Sequence, residues 1–271
     1  MKPDPEDDGA IAHYLDPAYY DQMYRRRMND RRYYAATACG SMLELGAGTG
    51  RVSLDVALAL AEQGEGTLLG LERVDAMRLR AEEKRTKRPR RVRERVAFVA
   101  GDFRSFDLDT RFDQIIAPFN TLMHLYDAEE IERCLGCVAA HLTPGGIFRF
   151  DVLLPDARNL ARNPNKVYHA GAVRWPGTEK RYRCRERYDY DPRTQTQHVE
   201  FAYLNVDDPL DIKVVPLTHR QFFPEELRLW LRHAGFEVLS HEGGFDGEPL
   251  TAASESQVIT CRRNPSRLGG R

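Results

Sequence analysis

The sequence has no long hydrophobic run: none of its 271 residues lies in a stretch approaching the roughly 20 consecutive apolar positions that a membrane helix needs. It has no excess of charge of one sign, 40 Lys and Arg standing against 41 Asp and Glu, so nothing global draws it to nucleic acid or to a membrane surface. The opening decapeptide MKPDPEDDGA is acidic and lacks an apolar stretch, so no signal peptide is expected. A soluble, cytoplasmic protein is the resulting expectation. Cysteine is scarce, five residues scattered over the chain. Cys134 and Cys137 form C-x-x-C, but inside DAEEIERCLGCVAAHL, whose apolar spacing is helical. No second Cys or His pair stands at zinc-finger distance, so helix packing is expected rather than metal or redox chemistry. No internal repeat is visible. What is present is apolar material for a core, 42% of residues.

Residues 1–10 and the tail NPSRLGGR are expected to be disordered. Residues 11–40 alternate aromatics and arginines at helical spacing, which predicts an N-terminal helical segment. From residue 41 a strand–helix rhythm begins. SMLELG, GTLLGLE, RVAFVAGD, FDQIIAPF and PGGIFRFDV read as strands, with amphipathic helices in RVSLDVALALAEQG, VDAMRLRAEEKR and AEEIERCLGCVAAHL. Short, nearly continuous apolar strands separated by helices predict a parallel sheet covered on both faces. Residues 155–220 break the rhythm. EKRYRCRERYDYDPRTQTQHVEFAYLNVDD alternates with period two, with turn signals at DPRT and DDP, predicting an inserted antiparallel meander. Residues 221–263 return to helix and strand. The expected organisation is a helical lid over 1–40, a core over 41–154 and 221–263, and a β insert over 155–220.

In LELGAGTGR the glycines Gly46, Gly48 and Gly50 follow the first strand, with Glu44 two residues ahead. The dinucleotide fingerprint is G-x-G-x-x-G; here the third glycine comes one position early. A carboxylate at Glu44 would repel a pyrophosphate and suits a ligand with positive charge. S-adenosylmethionine carries an ammonium and a sulfonium and no phosphate.

With these residues in view, LELGAGTGR resembles the first motif of class I S-adenosylmethionine-dependent methyltransferases. The resemblance implies a Rossmann-like, seven-stranded, mostly parallel α/β sheet with an inserted antiparallel β-meander, and S-adenosylmethionine as cofactor. It implies that Glu72, ending LLGLE roughly 20 residues beyond the glycines, accepts the ribose hydroxyls. Asp102, in FVAGDF, would accept from the adenine amino group, with Phe103 covering the ring. Gly46, Ala47, Gly48 and Glu44 would line the methionine side, and Pro118 the loop beside the sulfonium. Arg51 and Arg73 flank these motifs and read as surface residues near the cofactor, Arg73 being counted with the cofactor-binding set.

PFNTLMHL, the β insert and GGFDGEPLT look like small-molecule methyltransferases of the glycine/sarcosine and amino-sugar N-methyltransferase type. By that likeness His124 falls where an acceptor amine is deprotonated or oriented, and Asn120 borders the acceptor. An N/D-P-P-Y/F tetrapeptide is absent, which disfavours methylation of a nucleobase amine. Tyr14, Tyr20, Tyr24, Tyr33 and Tyr34 lie where related enzymes fold a lid. Tyr20 and Tyr24, one turn apart, are the favoured pair, Tyr20 for catalysis and Tyr24 for substrate. The expected partner is a small-molecule acceptor, with amine nitrogen ahead of oxygen or carbon. RNA or protein methylation, a cofactor-binding module without chemistry, and an NAD-dependent dehydrogenase remain as alternatives.

Two charge clusters complete the picture. KRTKRPRRVRER, residues 84–95, reads as a solvated edge, the alternative being an RNA contact. Arg181, Arg183, Arg185 and Arg187 fall on one face of a strand, to be a solvated surface, a homo-oligomer contact or a wall for an acidic substrate. The opposite face, with Tyr182, Cys184, Tyr188 and Tyr190, is expected to pack.

Overall fold

The computed structural model describes residues 11–263; the expectations for residues 1–10 and for the tail from 264 lie outside them. In chain order the strands are β1 (Ser41–Leu45), β2 (Thr67–Glu72), β3 (Val96–Ala100), β4 (Phe112–Ala117), β5 (Leu142–Leu153), β6 (Tyr168–Arg174), β7 (Arg181–Asp191), β8 (Thr196–Asn205), β9 (Ile212–Arg220), β10 (Phe236–Glu242) and β11 (Ser256–Arg263). They make two sheets, a seven-stranded one of order β10-β11-β5-β4-β1-β2-β3 and a four-stranded one of order β6-β7-β8-β9.

The chain divides into two compact units. Among the described residues the larger comprises 27–154 and 222–263, the smaller 11–26 and 155–221. In the larger unit β1 runs parallel to β2 and β4, β2 to β3, and β4 to β5, whereas β11 pairs antiparallel with both β5 and β10. The central strands are buried along almost their whole length, β1 showing Met42, Leu43 and Leu45 at 1% exposure or less. That burial on both faces explains why they read as continuous apolar runs rather than alternating ones. The helix Ser53–Gln63 ends at Gly64, whose backbone is left-handed with φ 84°. Helix Ala128–His141 buries Ile131, Cys134, Leu135 and Val138 at a spacing of three or four residues, so Cys134 of the C-x-x-C pair is core. The fifth strand begins earlier than the sequence suggests. Leu142 already pairs with Phe112, and Thr143–Gly146 form an irregularity before Ile147 resumes the register.

Strand order reverses between β1 and β4, the sheet growing outward through β2 and β3 on one side and through β5 on the other. Ligands of open α/β sheets bind at the carboxyl ends of the strands at such a point.

In the smaller unit helix Pro17–Met23 is capped by Asp16, whose Oδ1 accepts from the N–H groups of Ala18 and Tyr19 at 3.1 and 2.9 Å. Its Tyr19 packs with Tyr182, Cys184 and Tyr203 of the sheet and stacks on Trp175 at 5.0 Å between ring centroids. The period-two pattern of β7 resolves as expected, with Tyr182 and Cys184 buried and Arg181, Arg183, Arg185 and Arg187 exposed.

Candidate active site

The turn after β1 places Gly46, Gly48 and Gly50 in left-handed backbone, with φ of 65°, 56° and 72°. That region disfavours any residue with a Cβ. At Gly46 space is lacking too: a Cβ would stand 2.8 Å from Cγ2 of Thr121. Gly48 is different, since the nearest atom to a Cβ there is 3.6 Å away, so its requirement is conformational. The contact at Gly46 sets the glycine turn directly against the loop that follows β4.

Two carboxylates stand at this turn. Glu72 accepts at 2.7 Å from the N–H of Gly48 and at 2.7 Å from the N–H of Val74. Burial raises its pKa, against those backbone hydrogen bonds. Two N–H donors leave lone pairs on both oxygens for further hydroxyl donors. Glu44 is 2% exposed and accepts from the Ser53 hydroxyl. Burial pushes its carboxyl up to about 8, the Ser53 bond and the charge of Arg51 acting in the other direction. A carboxyl raised chiefly by desolvation, with smaller contributions from Glu72 and Asp30, is a ready partner for a cation.

Asp102 begins the turn after β3. It takes a two-pronged contact from Arg104, Nε at 3.0 Å and Nη2 at 2.7 Å on the same oxygen, and a 3.2 Å contact from Arg73. Phe103 beside it is half-buried against the main core. Arg104 also reaches Glu130 at 3.1 Å. Glu130 in turn accepts from the N–H of Tyr126 at 2.8 Å, and the Tyr126 hydroxyl lies 3.0 Å from Nδ1 of His124. Asp102 is thus tied through Arg104 and Glu130 to the backbone of Tyr126, whose side chain meets His124. Sequence reading did not single out Arg104, Glu130 or Tyr126, because the links span 26 residues between Arg104 and Glu130 and carry no motif.

The loop after β4 runs Pro118-Phe119-Asn120 into a single 3-10 turn, Thr121–His124. Phe119 and Asn120 both have positive φ, 55° and 64°, which is uncommon for one non-glycine residue and needs support for two in succession. The support is Asp151, at the end of β5. Its Oδ1 accepts from the N–H of Phe119 at 2.8 Å, and its carbonyl from the N–H of Asn120 at 3.1 Å. The Tyr34 hydroxyl donates to the same Oδ1 at 2.8 Å. Asp151 is fully buried, and burial pushes its carboxyl up to about 6 despite Arg27, whose guanidinium is 3.9 Å away. Asn120 is 7% exposed, and its Oδ1 is buried with no hydrogen-bond partner. An orphaned amide oxygen in this loop is open to a ligand N–H or O–H.

Arg51 corrects its sequence reading. It is not a surface residue: its side chain is 9% exposed, holds both oxygens of Asp30 and lies over the Phe119 ring at 4.8 Å. Burial works to raise the carboxyl of Asp30, but the hydrogen bond and charge of Arg51 outweigh it and hold the group below its ordinary value. Arg27 covers the same ring at 4.6 Å, so the strained loop is clamped from behind by two guanidiniums.

Glu44, Gly46, Ala47, Gly48, Glu72, Arg73, Asp102, Phe103, Pro118, Asn120 and His124 therefore all belong to the carboxyl edge of the larger unit's sheet or the loops leaving it. Tyr33 and Tyr34 belong to that unit as well, on helix Asn29–Ala36. Tyr14, Tyr20 and Tyr24 belong to the smaller unit. There Tyr20 and Tyr24 make an edge-on pair 4.8 Å apart, and the Tyr24 hydroxyl meets Nε2 of His13 at 2.9 Å. No cluster of three metal-ligating side chains occurs among the described residues.

Residues 42–146 match the family model described as a methyltransferase domain. Over 224 residues the chain is 30% identical to the cypemycin N-terminal methyltransferase of a Streptomyces species, covering 82% of this chain and 83% of that one. The chain belongs to the S-adenosylmethionine-dependent methyltransferases. Among solved structures this methyltransferase resembles CcbJ of Streptomyces caelestis, with 30% identity, 87% of this chain and 94% of that one covered and a TM-score of 0.73. It shares its fold with S-adenosylmethionine-bound CalS10, an amino pentose methyltransferase of Micromonospora echinaspora, at 22% identity, 90% and 96% coverage and a TM-score of 0.64. The solvated-edge reading of residues 84–95 is consistent with the ion pairs there, Lys87 with Glu83 and Arg90 with Glu94 at the surface of the methyltransferase. No helix among the described residues is long and apolar enough to cross a membrane.

Proposed function

We propose that the methyltransferase transfers a methyl group to an amine nitrogen of a small natural-product or peptide-type acceptor. The observation that carries the reading is the loop after β4, which packs Thr121 against the glycine turn and carries an orphaned amide oxygen at Asn120 and an imidazole at His124. The donor's fit rests on the residues of that turn. Glu72 presents oxygens for the two ribose hydroxyls, Glu44 a carboxyl for the ammonium, and Asp102 with Phe103 and Arg73 the adenine side. Ala47 and Pro118 line the approach.

The bound donor supplies an electrophilic methyl on a sulfonium whose departure leaves a neutral thioether. The chain has then to align the nucleophile and remove its proton. Asn120 Oδ1 accepts an N–H of the acceptor and so turns the nitrogen lone pair toward the methyl. In the tautomer whose Nδ1–H donates to the Tyr126 oxygen, His124 takes the proton at its other ring nitrogen. The relative at 30% identity is named for methylating an N-terminus, which is an amine; this supports nitrogen ahead of oxygen or carbon.

The test is turnover of His124→Ala and His124→Gln with amine acceptors across pH. A loss of about 100-fold or more at unchanged donor affinity supports the base role; wild-type turnover at every pH makes the imidazole structural. Tyr20→Phe and Tyr24→Phe are the corresponding tests in the smaller unit, where a rise in acceptor KM at constant donor affinity supports acceptor recognition.

A further inference from the structure

In the smaller unit one face of the four-stranded sheet is exposed along most of β7, while Thr196, Thr218 and Arg220 at its far end are buried. Its side chains follow from the register. Arg183 stands beside Leu204, which stands beside Ile212; Arg185 beside Ala202 and then Val214; Arg187 beside Glu200 and then Pro216. Across β6, Arg181 faces Arg174 and Arg185 faces His169. The opposite faces of the same strands carry Tyr182, Cys184 and Tyr203, which are the buried core. The exposed face is therefore a stripe of guanidiniums along β7 with a stripe of apolar side chains beside it, Ile212 and Val214 being 51% and 55% exposed.

The charge on this stripe is only partly compensated, Asp189 and Asp191 continuing the same face of β7. Arg187 has Glu200 at 3.6 Å and Arg174 has Glu179 at 3.1 Å. Arg181, Arg183 and Arg185 have no acidic side chain within salt-bridge distance among the described residues. Residues 155–220 hold twelve Lys and Arg against nine Asp and Glu, in a chain whose overall net charge is −1. Like charges at alternate positions of one strand repel, and β-propensity does not ask for arginine there.

We infer that this face binds an extended acidic peptide segment with carboxylates at every second position. Same-face residues of a strand recur every ~6.6–6.8 Å, so an extended peptide running along β7 places every second side chain opposite an arginine. Its intervening side chains point away from the sheet, and Leu204 and Ala202 flank the arginines on the β8 side. Arginine forks pair carboxylates in a two-pronged manner. A second copy of the chain fits poorly, because a two-fold contact on this face sets guanidiniums against guanidiniums or against aliphatic side chains without counter-charge. Single-stranded nucleic acid fits poorly as well, since the face carries no Phe, Tyr or Trp on which bases stack. That the peptide presents the methyl acceptor rests on the N-methylation reading above; the binding itself does not.

The experiment is fluorescence anisotropy with a labelled peptide of alternating Glu and Val, on the full chain. The controls are the same composition with the Glu residues in one block, a Lys–Val counterpart, a single-stranded RNA and anionic vesicles. The expected result is binding of the alternating acidic peptide that weakens with salt and falls at least tenfold in the variant Arg181→Gln/Arg183→Gln/Arg185→Gln. Donor affinity by calorimetry stays unchanged in that variant, which separates failure of this inference from failure of the methyltransferase site. Equal binding by the variant, no binding by the wild type, or tighter binding of the RNA, the vesicles or the block peptide overturns it.

Discussion

The Tyr126 hydroxyl lies 3.0 Å from Nδ1 of His124, and this contact decides what the imidazole can do. If the ring donates from Nδ1 to the phenol oxygen, Nε2 is left as the basic atom. Tyr126 itself is held by Glu130, and Glu130 by Arg104. Removing the hydroxyl in Tyr126→Phe frees the ring to rotate and change tautomer. Turnover is expected to fall about 3- to 10-fold, the worth of one hydrogen bond, with donor affinity unchanged. Parallel measurement of kcat and of donor Kd checks this, and a fall confined to donor Kd contradicts it.

Glu72 ends β2 with both oxygens engaged by backbone N–H groups, a geometry that aims the carboxylate rather than leaving it to swing. Glu72→Ala is expected to weaken the donor by about 1.5–3 kcal/mol, the range for a hydrogen bond to a charged group, which is roughly 10- to 100-fold in Kd. Calorimetric titration of S-adenosylhomocysteine checks it. Because Glu72 also ties Gly48 to Val74, the melting temperature should fall as well.

Glu44 is buried with its carboxyl raised to about 8. A folded-state pKa above the unfolded one stabilises fully below the unfolded value near 4.5, and that stability is lost as pH rises through about 8. At pH 7 the free protein therefore holds the proton, and pairing with a cationic donor releases it. Donor binding measured at pH 7 in phosphate and in Tris should give enthalpies that differ by the buffers' ionisation heats, and Glu44→Gln should remove most of the difference. Equal enthalpies in the wild type would mean that Glu44 does not meet the cation.

Asp151 offers a separate reading of stability. Its carboxyl is raised by burial from 3.8 to about 6, so its stabilising contribution is complete below pH 3.8 and lost as pH rises through about 6. Two pH units correspond to about 3 kcal/mol. Asp151→Asn keeps an oxygen for the Phe119 N–H and the Tyr34 hydroxyl. Between pH 4 and pH 7 the variant should gain on the wild type by up to about 3 kcal/mol in urea unfolding. Parallel profiles would show that the ionised carboxylate is fully compensated by its neighbours.

The parts of the site that were legible in the sequence are those encoded over short stretches. The glycine turn, the acid ending β2 and the turn after β3 each follow directly from a strand, and strand order carries them to one edge. What escaped depends on contacts between distant residues. Arg51 reads as a surface residue because its burial comes from Asp30, 21 positions earlier, and from Phe119, far downstream. The left-handed pair Phe119 and Asn120 carries no glycine to announce it; its conformation is enforced by Asp151 on a neighbouring strand. Tyr126 is an aromatic in a loop until Glu130 and His124 are seen on either side of it. Likewise the aromatic spacing of residues 11–40 predicts helices but not that Tyr19 joins the core of the β6–β9 sheet while Tyr34 joins that of the larger unit.

The central claim is methyl transfer to an amine nitrogen with His124 as the proton acceptor. Its most direct measurement is S-adenosylhomocysteine release with paired acceptors that differ only in an amine or a hydroxyl at the reacting position, using the wild type and His124→Ala from pH 6 to pH 9. The account predicts turnover of the amines well above the alcohols, and a loss of about 100-fold or more in the variant that shrinks as pH approaches the acceptor's own pKa. Turnover of the alcohols alone, or an identical pH profile with and without the imidazole, would contradict it.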